Sequence, residues 1–208
     1  MTAALGPVAG WKVGVSRAGD LPTCAPLYAG SVYTSGASLA LDEARCQKLE
    51  IEFAFRLLDD IRPRSRPYDI NDILILIEFV PLIEVVRSRY TAASLADPLE
   101  MLADANGNAA VVVGPSLRGF QGLDFSKLEA RLTIDGTVVQ SATNTHPLGN
   151  PLPLVVWQVN HVLDRSIPLL QGHIITTGSL QGASPIPQGG QAVGEWGGLG
   201  SVRVAIVS

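Results

Sequence analysis

Residues 48–55, Lys-Leu-Glu-Ile-Glu-Phe-Ala-Phe, alternate with a period of two. Leu49, Ile51, Phe53 and Phe55 therefore fall on one face of an extended strand, and Glu50 and Glu52 on the other. Two carboxylates on neighbouring positions of one face repel unless solvent, a base or a cation neutralises them. The alternation alone leaves two readings open: the solvated outer face of an antiparallel strand, or part of an anion cluster that takes a cation.

The rest of the chain is punctuated like a β protein. Its 21 glycines and 14 prolines are spread between short runs of Val, Ile and Leu, a pattern of many strands and turns. Strands are expected at 11–15, 48–57, 82–88, 109–113, 129–134 with 137–140, 173–177 and 201–207, and Asp135-Gly136 marks a tight hairpin. One helix is expected to open at Asp69 or Asn71 and run to Phe79, where Pro81 stops it; a second covers 152–163 after Asn150-Pro151. The glycines at 189–190 and 197–200 read as turns between the last strands. With 208 residues, 47% hydrophobic and 16% charged, the chain suits a single domain over 1–208, α+β in class but mainly β.

Composition also excludes function classes. Asp plus Glu (19) exceed Lys plus Arg (15), for a net charge of −4, and no basic cluster offers phosphates a counterion, so no nucleic-acid partner is expected. The most apolar stretch, 73–86, is broken by Glu78, Pro81 and Glu84 and is too short for a bilayer, which takes roughly 20 apolar residues. No membrane association is expected, and with no signal-like start the expected location is cytoplasmic. Cys24 and Cys46 form no metal-binding pair. Neither a phosphate-binding glycine loop nor a Gly-x-Ser-x-Gly elbow occurs, and His146, His161 and His173 have no hydrolytic motif around them.

Glu84 adds a third carboxylate, inside the apolar run Pro81-Leu82-Ile83-Glu84-Val85-Val86. An acid there pairs with Arg87 or Arg89, reaches solvent at a strand end, or ligates a cation; hard oxygen ligands suit Mg²⁺, Mn²⁺ or Ca²⁺.

Gly10-Trp11-Lys12-Val13-Gly14, Glu50-Ile51-Glu52-Phe53-Ala54-Phe55, the run ending in Glu84-Val85-Val86, Gly149-Asn150-Pro151 with Trp157, Thr177-Gly178-Ser179 and Gly197-Gly198-Leu199-Gly200-Ser201-Val202 occur in that order. Together they resemble the hydratase/decarboxylase branch of the fumarylacetoacetate hydrolase superfamily, which includes the 2-keto-4-pentenoate hydratases. The resemblance implies a curled mixed β-sheet with a few helices around a divalent-metal site, and a homo-oligomer. It implies Mg²⁺ or Mn²⁺ on Glu50, Glu52 and Glu84, Lys12 in catalysis beside the substrate, and Thr177 and Ser179 at the substrate carboxylate. The implied partner is a small 2-oxo acid or its enol. The implied enzyme is a lyase of aromatic catabolism that adds water to a 2-hydroxy-2,4-dienoate to give a 4-hydroxy-2-oxo acid. Decarboxylation, acylpyruvate hydrolysis, or binding without turnover are the alternatives within the same superfamily.

Three positions depart from that pattern. Arg87 stands where the family carries an Asp before Ser-Arg, and strand alternation turns it to the face opposite Glu84. The loop Ala103-Asp104-Ala105-Asn106-Gly107-Asn108-Ala109 keeps the family's Asp but shifts its Asn and lacks its Ser, leaving Asn106 or Asn108 to substitute. Only eleven residues precede Lys12, so most of the family's N-terminal helical region is expected to be missing.

Overall fold

The computed structural model describes residues 5–40, 47–90, 97–143 and 146–207. Four strands come first: β1 (Val8–Gly14), β2 (Thr23–Tyr28), β3 (Val32–Thr34) and β4 (Ala37–Ala40). The alternating segment forms β5 (Gln47–Leu57), and a short helix α1 (Ile70–Leu74) leads into β6 (Ile77–Val86). Helix α2 (Pro98–Ala103) precedes β7 (Asn108–Val113), then come the hairpin β8 (Glu129–Ile134) and β9 (Thr137–Thr143) and the helix α3 (Leu152–Leu163). The chain closes with β10 (Ile174–Ser179), β11 (Ser184–Ile186), β12 (Gln191–Trp196) and β13 (Gly200–Val207).

These strands make two mixed sheets. The larger runs β2-β1-β10-β5-β6-β7-β3, with β11 also paired to β5; the smaller runs β4-β13-β12-β8-β9. The pairings β1 with β10, β3 with β7 and β4 with β13 are parallel, and the others are antiparallel. The fold is the expected mainly β one with few helices.

The predicted alternation of β5 decides how the sheets pack. Leu49, Ile51, Phe53 and Phe55 are fully buried in one core with Leu132, Trp196 and Val202 of the smaller sheet and Val155 and Val159 of α3. Each such side chain contributes roughly 2 kcal/mol on leaving water. The opposite face of the large sheet is buried too. Leu27, Ala54, Val80, Leu82, Val111, Val113 and Ile174 form a second, smaller cluster, around which the sheet curls. This apolar plug lies in the same face as Glu50, Glu52 and Glu84. The close approach of β1 to β10 that the curl needs explains Gly10, where a Cβ would sit 2.2 Å from the Ile174 carbonyl oxygen.

The structure corrects the reading of residues 69–81. The helix spans only Ile70–Leu74, held by a capping box between Asp69 and Asp72, and β6 begins at Ile77 and passes through Pro81. Pro81 was read as a helix stop, yet it costs no ladder bond: β6 pairs with β7 only from Leu82 onward, while the Pro81 carbonyl accepts from Gly114 N at 2.8 Å. The apolar run around it is continuous because both faces of β6 are buried. Strands β2, β3, β4, β11 and β12 escaped the sequence reading. In β12, Gly194 leaves room for the ring of Trp196, whose Cη2 would lie 2.8 Å from a Cβ there. Trp11 packs in the main core, and Cys46 lies outside the described residues.

Candidate metal centre

Antiparallel pairing sets Glu50 of β5 directly opposite Glu84 of β6, and Glu52 follows one step along the same face. One carboxylate oxygen from each of the three lies within 4.8 Å of the others. Glu52 and Glu84 are fully buried and Glu50 is half-buried. Lys12 reaches the cluster from β1, its Nζ donating to Glu84 Oε1 at 2.5 Å. Three strand spacings separate β1 from β6, about 14 Å if the sheet were flat, which exceeds the joint reach of the two side chains. The curl closes that gap.

Neighbouring groups hold Glu52 and Glu84 each by one oxygen only. Glu84 Oε1 also accepts from Asn108 Nδ2 at 2.9 Å. Glu52 Oε2 accepts from the Thr176 hydroxyl and from Gly178 N at 3.0 Å. The other oxygens, Glu52 Oε1 and Glu84 Oε2, are buried without any hydrogen-bond partner. Two buried, unpaired anionic oxygens beside a third carboxylate are costly as they stand, and a hard divalent cation is the group that fits them.

The titration behaviour agrees. Burial, then the charge of Glu84, pushes Glu50 up to about 7 and holds Glu52 well above the ordinary carboxylate range. Burial pulls the Lys12 ammonium down, but Glu84, Glu52 and Glu50 together outweigh it and raise it above the usual lysine value. In the metal-free cluster Lys12 is therefore held in its charged form.

The structure distributes the remaining expected site residues differently. Ser179 sits opposite Glu52 in the register, with its hydroxyl donating to Gly182 O at 2.9 Å. The Thr177 hydroxyl donates to Phe53 O at 2.8 Å, so the threonine that touches a glutamate is Thr176. Asn108 fills the place left by the altered loop. Its carbonyl accepts from Arg89 Nη2 at 2.8 Å, and Arg89 Nη1 pairs with the buried Asp104 at 2.9 Å. Arg87 contacts none of the three glutamates, and its Nε is buried without a partner.

A further participant, His146, lies behind the centre. Its ring stacks over Phe53, with centroids 6.4 Å apart, and its Nε2 bonds the Thr177 carbonyl at 3.0 Å while Nδ1 accepts from Leu148 N at 3.2 Å. Those bonds select one neutral tautomer, and burial lowers the ring's tendency to take a second proton. The β10 register slips between Thr176 and Ser179, and this irregularity turns the Thr176 hydroxyl and Gly178 N–H onto Glu52. His146 ties down the carbonyl between them. His146→Leu is expected to weaken Mn²⁺ binding about tenfold, with His146→Asn recovering part of the loss, as measured by calorimetry. Equal Mn²⁺ affinity in both variants and the parent would remove His146 from the support of this centre.

Fold and centre together define a curled-sheet protein with three carboxylates and one lysine at the mouth of a half-barrel. Residues 27–207 match the fumarylacetoacetate (FAA) hydrolase C-terminal model, and the chain belongs to that family. It is 30% identical over 189 residues to the TodF product hydratase of Pseudomonas putida, covering 89% of this chain and 69% of that one. It is 27% identical over 185 residues to the 2-keto-4-pentenoate hydratase of Burkholderia vietnamiensis, covering 88% and 70%. Among solved structures, 4-oxalocrotonate decarboxylase from Pseudomonas putida G7, complexed with magnesium and adipate, superposes with a TM-score of 0.80 at 22% identity, over 99% of this chain and 80% of that one.

Proposed function

We propose that the protein is a divalent-metal-dependent hydratase of aromatic catabolism, adding water to a 2-hydroxy-2,4-dienoate to give a 4-hydroxy-2-oxo acid. The observation that carries this reading is the pair of buried, unpaired oxygens on Glu52 and Glu84, beside Glu50. The hydratases at 27–30% identity support the reaction class. Glu50, Glu52 and Glu84 would hold Mg²⁺ or Mn²⁺, the ion carried by the magnesium-bound decarboxylase relative in fold being one of these.

When bound, such an ion supplies Lewis-acid stabilisation of charge on the substrate's C1 carboxylate and C2 oxygen. The chain's own groups do the rest. Lys12 places a positive charge beside the same oxygen, favouring the species in which its proton has left. Ketonisation moves a proton from the 2-hydroxyl to C5 and shifts the double bonds, leaving a 2-oxo-3-enoate. Water then adds its oxygen to C4 and a proton to C3. The apolar plug beneath the centre, with Ala54, Val80 and Leu82, keeps bulk water from its floor. Thr176 and Gly178 fix Glu52, and Asn108 fixes Glu84, so neither acid has to reorganise as charge develops.

The test is turnover of 2-hydroxypenta-2,4-dienoate followed by proton NMR in Mg²⁺ or Mn²⁺, with the chelated protein as control. A 4-hydroxy-2-oxo acid formed only with metal is the expected result. Release of carbon dioxide from a dicarboxylic 2-oxo acid, with no hydration of the dienoate, would replace the hydratase assignment by a decarboxylase.

A further inference from the structure

The sheet face that carries Lys12 continues along β1 to Gly14, and β10 sets Gly178 beside it: a Cβ built on Gly178 would lie 3.9 Å from Gly14 Cα. A Cβ on Gly14 itself would meet nothing within 4 Å. Gly14, two positions along the same face from Lys12, thus leaves open space beside the strand. Gly14 is also part of the lining of a cleft of about 450 Å³, whose walls include Val15, Leu21, Leu99, Met101 and Leu102. Leu21 is 89% exposed, Leu99 72% and Met101 45%, an unusual gathering of large apolar side chains around one opening. Asn106, two residues before the Asn108 that holds Glu84, is also part of the lining.

The cleft's charge is as informative as its shape. Among the described residues no lysine or arginine lines it, and neither does Arg87. The charged group that does is Asp20, whose Oδ1 accepts from the exposed Arg17 Nε at 3.2 Å. A second carboxylate on a substrate would enter this space without a cation to meet it, and would give up its hydration against leucine and methionine. An alkyl or aryl group would gain from the same surroundings.

We infer that this cleft receives the far end of the substrate and selects an uncharged, apolar substituent there over a second carboxylate. The inference rests on the reading of the site as a metal-dependent 2-oxo-acid centre. It assigns Leu99, Met101 and Leu102 of α2 to specificity, with Gly14 as the open floor over which the chain of the substrate passes.

Calorimetry on the Mn²⁺-loaded protein with pyruvate, 2-oxohexanoate and 2-oxoadipate tests it. The last two have six carbons each and differ at the terminal group alone. 2-Oxohexanoate is expected to bind about tenfold more tightly than either pyruvate or 2-oxoadipate. Leu99→Lys and Met101→Lys, substitutions at exposed positions, are each expected to shift the ratio about tenfold toward 2-oxoadipate. If pyruvate binds but 2-oxohexanoate gains nothing over it, or loses to 2-oxoadipate, the cleft assignment falls while the metal centre stands. If no acid binds with Mn²⁺ present, the reading of the centre falls and the inference with it. Gel filtration of the same variants covers the other occupant: a lysine variant that changes the oligomer and leaves the ratio untouched assigns the cleft to a second copy of the chain and overturns the inference.

Discussion

Glu52→Gln is expected to weaken Mn²⁺ binding by at least about a hundredfold while raising the thermal stability of the metal-free protein. The two effects have one cause. Glu52 is fully buried, its Oε1 has no partner, and its charge adds to those of Glu84 and Glu50. A glutamine keeps an acceptor for Thr176 and Gly178 and removes the buried charge that Glu52 takes on once pH exceeds its raised pKa, so the gain in stability is expected at alkaline pH. Glu84→Gln is expected to lose metal affinity to a similar degree but to destabilise, by roughly 3 kcal/mol, because the buried Lys12 is left facing a neutral amide in place of the carboxylate it contacts at 2.5 Å. Calorimetry with Mn²⁺ and thermal melts in chelator measure both. If the two glutamine variants melt alike, or if Glu52→Gln retains full Mn²⁺ affinity, the division of labour between the two acids is wrong.

The second large effect is a dependence of stability on pH that metal removes. Glu50 is pushed up to about 7 and Glu52 well above the ordinary carboxylate range, so the folded chain holds protons there that the unfolded chain has already released. Where the folded state binds more protons, stability falls as pH rises. The histidines act in the opposite sense: His146 and His173, which are buried, and the partly exposed His161 are all lowered, chiefly by desolvation, and they add stability as pH climbs through their ordinary value of about 6.5. Lys12 is raised, and its contribution is lost only at strongly alkaline pH. Asp72 and Asp104 are lowered, Asp72 chiefly by hydrogen bonds from Arg64 and Arg66; Asp104 is pulled up by burial but held down by Arg89 and Ser88, and both act only in acid. Across about pH 6.5 to 8 the unfolded histidines are still shedding protons, so the comparison with Glu50→Gln, which shares them, isolates the glutamate. Relative to that variant, the metal-free parent is expected to lose on the order of 1 kcal/mol across the window, and saturating Mg²⁺ or Mn²⁺ to remove the difference. No difference without metal would mean that the three carboxylates are not the strained cluster described above.

How much of this was legible beforehand follows from the range of the interactions. The alternation at 48–55, the Asp135-Gly136 turn and the helix at 152–163 are local patterns, and β5, the β8–β9 hairpin and α3 form where those patterns place them. Glu50, Glu52, Glu84 and Lys12 were named from motifs, and the structure brings them together. The groups that orient them were not. Thr176 and Gly178 reach Glu52 through a register slip that depends on pairing with residues more than a hundred positions away, and no periodicity records a slip. Asn108, in a loop that departs from the family pattern, is the asparagine that the structure brings onto Glu84. His146 carries no motif in the sequence; its signal is the neutral ring between two backbone groups, visible only once β10 lies beside it. Pro81 misled because its local preference favours ending a helix, whereas the tertiary register places it just beyond the stretch that pairs with β7.

The parallel pairing of β1 with β10, which joins residues 10–12 to residues 174–176, has a consequence for the order of assembly. Strands β5, β6 and β7 are antiparallel neighbours close in the chain, so the acidic residues can meet early, at small cost in loop closure. Lys12 has no place beside them until β10 has been made and docked, because β10 is the strand that carries β1 into the sheet. During synthesis the carboxylates are exposed to one another before their resident cation arrives. The ion pair that offsets their repulsion is then a late contact, formed only when β10 has docked and drawn β1 into the sheet.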